Sequence, residues 1–131
     1  MALLFYATRT EGAGRLVWNL HQDLASAYKG EFCRSIASLS QKLRHLRYER
    51  TIAVLLADTR ADLEDILAIR DLLDGIRIIL ILPDSNEQTV KQGFTLLPRF
   101  LTYADSDFSL AEAVLKKMLS NHRASQSTPG F

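Results

Sequence analysis

The stretch that decides the fold is Thr51-Ile52-Ala53-Val54-Leu55-Leu56-Ala57-Asp58, a continuous apolar run that ends in a carboxylate. Such a run is typical of a strand buried on both faces, in a parallel sheet covered by helices. The next residues, Thr59-Arg60-Ala61-Asp62, open a helical pattern. Asp58 is therefore predicted to lie at the carboxyl end of a central strand, where open α/β sheets place their ligands.

The bulk composition indicates one globular domain. The chain has 131 residues, of which 47% are hydrophobic and 24% charged, which is enough to bury a real core. The net charge of +1 provides no global field that would draw the chain to nucleic acid or to a membrane surface, and no window reaches the length of a membrane span. The single Cys33 excludes an internal disulfide and favours the cytoplasm. We expect a domain over residues 1–122 and a polar tail, or the start of a linker, over 123–131.

Apolar patterning on both sides of the decisive run predicts four more strands, each followed by a helix. The predicted strands are residues 2–7, 31–36, 51–57, 76–82 and 99–103, and the first helix runs from 14 to about 26. Five strand–helix pairs with short, right-handed connections predict an α/β three-layer sandwich around a parallel sheet. The expected strand order is 2-1-3-4-5, which is the flavodoxin-like fold.

Helix starts are predicted from capping sequences. Ser38-Leu39-Ser40-Gln41 and Ser109-Leu110-Ala111-Glu112 both match the capping box, and Asp84 or Ser85 is expected to cap the fourth helix. We expect Val90, Phe94 and Leu97 on the apolar side of the fourth helix. On the last helix we expect Leu110, Val114, Leu115 and Met118 to face inward.

In this strand order the topological switch point lies between the first and third strands. The loop from Thr8 to Gly14 and the end of the third strand flank it, and the end of the fourth strand lies on the same rim. We therefore expect a switch-point pocket, and its residues are Thr8, Arg9, Thr10, Asp58 and Asp84.

The whole chain resembles the receiver domain of bacterial response regulators. The resemblance rests on the five βα units, on domain length, and on Val54-Leu55-Leu56-Ala57-Asp58, which matches the strand that ends in the phospho-accepting aspartate. The segment from Phe100 to Leu110 is similar to a receiver's fifth strand and the entry to its last helix. The resemblance implies a signal-transduction domain in which Asp58 is the equivalent of the phospho-acceptor.

The chain departs from receivers at the residues that perform the chemistry. Receivers carry an acid pair after the first strand, a hydroxyl residue after the fourth and a lysine after the fifth. Here the corresponding segments are Tyr6-Ala7-Thr8-Arg9, Leu82-Pro83-Asp84 and Tyr103-Ala104-Asp105, and Ser85 comes one residue after the second. Phosphoryl transfer depends on a bound Mg²⁺ and on fixed cations. The sequence therefore predicts a pseudo-receiver, a non-enzymatic regulatory interaction domain with no metal and no cofactor, in which Asp58 is not used as a phospho-acceptor.

Arg9 falls where a receiver carries acid, which suggests that its guanidinium pairs with the Asp58 carboxylate in place of metal and phosphate. Arg60 is a competing partner for Asp58. The alternative is that Asp58 simply caps the following helix.

The predicted surface made by the fourth helix, fifth strand and last helix offers four aromatic residues, and these are Phe94, Phe100, Tyr103 and Phe108. The resemblance places dimerisation and output on this surface. We therefore expect protein partners in a signalling pathway, or a homodimer, to contact it.

Two other functions remain open. One is an active receiver that accepts phosphate on Asp58. The other is a small flavodoxin-like module that binds a nucleotide or FMN through the loop from Thr8 to Gly14, whose threonines and glycines precede a helix N-terminus. Glycines that only permit the turn are the simpler explanation of that loop. The three histidines have no ligand spacing and are expected to face solvent, and Cys33 is expected to be a packed apolar residue.

Overall fold

The structure is a computed structural model that describes residues 2–24, 27–28, 30–46 and 50–127, with the backbone alone from residue 121 onward. Five parallel strands form one sheet in the order β2-β1-β3-β4-β5, which confirms the predicted flavodoxin-like α/β fold. The strands are β1 (Ala2–Tyr6), β2 (Gly30–Cys33), β3 (Thr51–Leu56), β4 (Arg77–Leu82) and β5 (Phe100–Tyr103).

The helices cover both faces of this sheet. They are α1 (Ala13–Leu24), α2 (Ile36–His45), α3 (Arg60–Ala68), α4 (Glu87–Phe94) and α5 (Ser109–Ser127), with a short 3₁₀ turn at Arg70–Leu73. One apolar cluster joins a sheet face to α2 and α3, and a second joins the opposite face to α1 and α5. The chain is therefore a three-layer sandwich with two separate core layers.

The decisive run forms the centre of the sheet. All residues of β3 are buried, and alternate side chains enter opposite core layers, Ala53 and Leu55 on one side and Val54 and Leu56 on the other. Burial of a leucine or valine side chain contributes about 1.5–3 kcal/mol, so this strand is a major source of stability.

The second helix begins earlier than the capping box predicts. The Ser35 hydroxyl accepts a hydrogen bond from the Ser38 backbone N–H at 3.1 Å, which makes Ser35 the N-cap and places Ser38 inside the helix. The strand before it ends at Cys33 for the same reason, since Ile36 is already helical.

The fourth and fifth helices also differ from the predicted caps. Asn86, rather than Asp84 or Ser85, caps α4 by accepting from the Gln88 N–H at 3.0 Å. At the start of α5, the Asp107 carboxylate accepts from the Ser109 N–H at 2.9 Å, so Ser109 is the first helical residue and not the cap. Neighbouring Ser, Asn and Asp residues compete as caps, and the backbone direction decides among them.

The last helix continues to Ser127, past the boundary expected at residue 122. The first helix breakers after Ser109 are Pro129 and Gly130, which explains the extension. Residues 128–131 lie outside the described residues, as do 25 and 26 at the predicted end of the first helix. Among the helices that the structure describes, none has the length and hydropathy needed to cross a membrane.

Candidate functional site

The carboxyl ends of the parallel strands bring the predicted site residues to one rim of the sheet. The register pairs Tyr6 with Leu55, Leu56 with Ile81, and Leu82 with Tyr103. The residues that follow these strands, including Thr8, Asp58 and Asp84, therefore leave the sheet at the same edge. We call this edge, with its loops, the rim.

Thr8 is turned towards α3. Its hydroxyl donates to the Asp62 carboxylate at 3.2 Å, and the Asp62 backbone N–H donates to the Thr59 hydroxyl at 3.1 Å. Thr59 is therefore the N-cap of α3, and Asp62 ties the end of β1 to the first turn of that helix. An acid in the first turn also complements the positive end of the helix.

Arg60 and Asp84 join the loops after β3 and β4. The Arg60 Nε lies 3.1 Å from Asp84 Oδ2. Hydrogen bonds from the Thr89 hydroxyl, from the Asn86 backbone N–H and from Arg60 together hold the pKa of the Asp84 carboxyl below its ordinary value. Asp84 is thus an ionised carboxylate that accepts hydrogen bonds from Thr89, Asn86 and Arg60.

The structure corrects the sequence-based interpretation of Asp58. Within the described ranges Asp58 forms no ion pair with Arg9 or with Arg60, and Thr59 rather than Asp58 caps the helix. Arg9 is exposed. Arg60 is engaged by Asp84, so the expected pair and both alternatives for Asp58 are wrong.

The loop from Thr8 to Gly14 is a packed turn. Gly12 has a positive φ of 55°, and a Cβ on Gly14 would lie 1.8 Å from the Arg9 carbonyl oxygen. Both glycines are therefore needed by the backbone itself. The two threonines diverge, because Thr8 contacts Asp62 while Thr10 lines a cleft beside α1.

Hydroxyl groups lie at the end of β5. The Ser106 hydroxyl donates to the Tyr103 carbonyl oxygen at 2.7 Å, and the Thr102 hydroxyl lies 2.8 Å from the Ser106 Oγ. Since the Ser106 proton is used on Tyr103, Thr102 is the donor of the second bond. None of the described residues 102–108 at this corner of the rim is a cation.

Tyr6 lies under the rim, in the core layer that contacts α3. Its side chain is 1% exposed. Burial, together with the nearby Asp62 and Asp65 carboxylates, raises the pKa of Tyr6 to about 12. The phenol of Tyr6 therefore remains neutral at ordinary pH.

Metal ligands are not assembled among the residues that the structure describes: it contains no cluster of three or more His, Cys, Asp or Glu side chains. Cys33 is buried, as predicted, and burial raises the pKa of its thiol. A protonated, buried thiol is a poor metal ligand and nucleophile.

The four aromatic residues of the predicted interaction surface are placed unequally. Phe94 is 56% exposed, whereas Phe100, Tyr103 and Phe108 are half-buried against the two core layers. The expectation that Phe94 faces inward on α4 is wrong. A Cβ on Gly93 would lie 3.1 Å from a Leu82 δ-carbon, so the face of α4 that packs on the sheet is the one that carries Gly93. Phe94, the next residue, points outward.

Two further leucines expected to be inward are exposed. Leu97 is 81% exposed and adopts a positive φ of 53° after the end of α4. Leu110 is 61% exposed at the start of α5, where Ala111, Leu115 and Leu119 are buried instead. Phe94 and Leu97 together form an apolar projection at the end of α4.

Sequence analysis missed a group of rings beside α1. His21 was expected in solvent, but its ring centroid lies 5.4 Å from Phe5, 5.2 Å from Trp18 and 5.7 Å from Phe32. The signal was the i, i+3 spacing of Trp18 and His21 on one helix face. Phe5 and Phe32 face each other in the β1–β2 register. The predicted strand order makes these strands neighbours but does not fix which residues pair.

These features define a CheY-like, flavodoxin-like α/β domain whose rim carries hydroxyl, carboxylate and guanidinium groups. Among solved structures, the chain is similar to the Vibrio cholerae chemotaxis protein CheY4, with a TM-score of 0.59 and 14% sequence identity over 92% of this chain and 96% of that chain. At this identity the likeness concerns the fold. No protein-family model matches the chain, and no curated protein matches it.

Proposed function

We propose that this chain is a non-enzymatic, receiver-type domain that regulates a signalling pathway through protein contacts, without phosphorylation of Asp58. The observation that carries the proposal is the Thr8–Asp62 hydrogen bond. Thr8 and Arg9 occupy the segment in which receivers carry their metal-binding acids, and Thr8 is already engaged by the protein.

The rim chemistry supports this proposal. Stabilising a transferring phosphoryl group needs Mg²⁺ or fixed cations aimed at its oxygens. Of the rim cations, Arg60 is paired with Asp84, and Arg9 is exposed on the surface of its loop. At the end of β5, the Thr102 hydroxyl donates to Ser106 and the Ser106 hydroxyl donates to the Tyr103 carbonyl oxygen, so both hydroxyl protons are already used by the protein.

Labelling with a small phosphodonor tests the absence of phosphorylation. The full chain is incubated with acetyl phosphate and Mg²⁺, and the intact mass is measured, with Asp58→Ala as the control. We expect no added phosphoryl group in either protein. A phosphoryl adduct that is lost in Asp58→Ala would instead establish an active receiver.

The apolar projection at the end of α4 supports the interaction part of the proposal. Phe94 and Leu97 expose large apolar side chains that do not contribute to either core layer. Lys91 and Arg99 are exposed close by in the chain, giving an apolar centre with a charged border. Apolar centres with polar rims are typical of protein–protein contact sites.

Sedimentation equilibrium separates a homodimer from a surface kept for another protein. If the projection forms a dimer contact, the double variant Phe94→Ser/Leu97→Asn is monomeric at concentrations where the parent protein dimerises. The matched control is Leu16→Gln, which removes another exposed leucine, on α1. If the parent protein is monomeric at all concentrations, the projection does not form a homodimer and is available to a different protein. If the double variant dimerises like the parent protein, the dimer interface lies elsewhere.

We further propose that the domain acts in the cytoplasm. The buried, unpaired Cys33 suits a reducing compartment.

A further inference from the structure

A second surface, at the opposite edge of the sheet from β5, carries an ordered aromatic group. The Trp18 ring centroid lies 5.0 Å from that of Phe32, at an interplanar angle of 82°, and 5.2 Å from that of His21. Phe5, fully buried in β1, supports His21 from below. The indole is 38% exposed, so a ring fixed to the core reaches the surface.

His21 is held in one orientation. Its Nε2 lies 3.2 Å from the Gly30 carbonyl oxygen, which can only accept, so Nε2 carries the proton. Its Nδ1 then accepts from the Gln22 amide at 3.3 Å. The ring on which Trp18 rests is thus anchored to the backbone of β2, and the indole is pre-organised.

Two arginines share a cleft with Trp18. A cleft of about 530 Å³ is lined by Thr10, Arg15, Trp18, Asn19 and Arg34. Within the described part of the chain the guanidinium groups of Arg15 and Arg34 form no ion pair or hydrogen bond. By contrast, Lys42 is paired with Glu31 and Arg60 with Asp84. None of the described residues that line this cleft is acidic.

We propose that this cleft binds a free nucleotide, whose base stacks on the Trp18 indole and whose phosphate is held by Arg15 and Arg34. Bases stack readily on exposed aromatic side chains, and guanidinium groups bind phosphate through paired hydrogen bonds. Thr10 and Asn19 add the neutral polar groups that orient a ligand in such sites.

A mononucleotide fits better than a nucleic-acid chain. The cleft volume lies in the range of small-molecule sites, about 300–1,000 Å³. Polymeric nucleic acid is bound by extended basic surfaces, and the chain has a net charge of only +1. This inference is independent of the proposed partner contact, because β2 and β5 are opposite edges of the sheet and Phe94 and Leu97 lie at the end of α4.

Tryptophan fluorescence provides a direct test, since Trp18 is the only tryptophan of the chain. The full chain is titrated with AMP, ATP, adenosine and inorganic phosphate. We expect saturable quenching by the nucleotides at micromolar to millimolar concentrations, weaker quenching by adenosine, and none by phosphate alone. Tighter binding of a single-stranded oligonucleotide than of ATP would overturn the assignment to a free nucleotide.

Variants separate a specific site from general quenching. Arg15→Gln and Arg34→Gln should each raise the dissociation constant by about tenfold, because each removes a charge-assisted contact. The control is Arg44→Gln, an exposed arginine on α2, which should bind like the parent protein. Non-saturable quenching, or equal affinity in all three variants, would overturn the proposal. Circular dichroism confirms that the variants are folded.

Discussion

The guanidinium of Arg60 lies 3.1 Å from the carboxylate of Asp84, and this contact joins the loops that follow β3 and β4 across the rim. By the resemblance drawn from the sequence, these loops correspond to the ones that carry the phospho-acceptor and the hydroxyl residue in receivers. Here they are joined to each other, and Asp58, between β3 and Arg60, remains outside the contact.

Removing the Arg60 charge should weaken the fold only slightly. Both side chains are partly exposed, and exposed pairs contribute about 0–1 kcal/mol. Urea unfolding of Arg60→Gln should therefore show a small loss that disappears in high salt. The control is Arg9→Gln, whose side chain forms no ion pair with a described residue and whose loss should be neutral. A loss that persists in high salt would contradict an electrostatic origin.

The lowered pKa of Asp84 predicts how stability depends on pH. Because the folded-state value lies below the ordinary value of 3.8, the stabilisation is fully present above that value and is lost as the pH falls through the folded-state pKa. Asp84→Asn should thus be less stable than the parent protein at neutral pH, and the difference should shrink as the pH falls below about 4. Chemical unfolding at several pH values measures this convergence. A difference independent of pH would show that Asp84 acts through its shape alone.

The raised pKa of Tyr6 predicts how the stability of the fold changes at alkaline pH. Its folded pKa of about 12 exceeds the ordinary 10.0, so its contribution is fully present below pH 10 and is lost as the pH rises towards 12. The loss amounts to about 2–3 kcal/mol, from 1.36 kcal/mol per unit. Tyr6→Phe should remove this alkaline loss while changing neutral stability little. Thermal unfolding of both proteins from neutral to alkaline pH tests it, and identical profiles would contradict the assignment.

The observed cap of α3 predicts different costs for neighbouring residues. Thr59→Ala removes the hydroxyl that accepts from the Asp62 N–H and should destabilise the domain by about 0.5–2 kcal/mol. Asp58→Asn, one residue earlier, removes no contact between described residues and should be nearly neutral. Denaturant unfolding compares the two directly. A larger loss of stability in Asp58→Asn than in Thr59→Ala would show that Asp58 has a structural role.

Glycine substitutions test the loop before α1. Gly14→Ala places a methyl group against the Arg9 carbonyl oxygen, so the backbone must move. A Cβ on Gly12 meets open space, so Gly12→Ala should destabilise the domain only through the positive φ, by about 1–2 kcal/mol. The Gly14 variant should therefore be the less stable of the two in thermal unfolding. The reverse order would mean that the loop relaxes freely around Gly14.

The sequence predicted the fold because its signal is repeated along the chain. Long apolar runs at β3 and β4, with helical periodicity between them, leave few alternatives to a parallel sheet. Cap positions were not predictable to the residue, since Ser35 and Ser38 have the same chemistry and only the backbone path distinguishes them. Phe94 was misplaced for a related reason: helix rotation was decided by the close approach of Gly93 to Leu82, which hydrophobic periodicity cannot register.

Contacts at the rim were the least predictable part of the molecule. The sequence predicted a shared pocket for Thr8, Arg9, Thr10, Asp58 and Asp84, but not the partners of these side chains. Arg60 faces Asp84 and Thr8 faces Asp62, and these choices depend on side-chain directions over a few ångströms. The ring group around His21 required the β1–β2 register, which no local pattern contains.

Leu97 has a consequence for selection experiments. A bulky residue with a positive φ and an 81% exposed side chain lowers stability without adding to the core. In a library randomised at this codon and sorted for folding alone, glycine and asparagine should be enriched over leucine. The same library sorted for activity in the cell should retain leucine if the side chain serves a partner, so the two enrichment profiles diverge at this position.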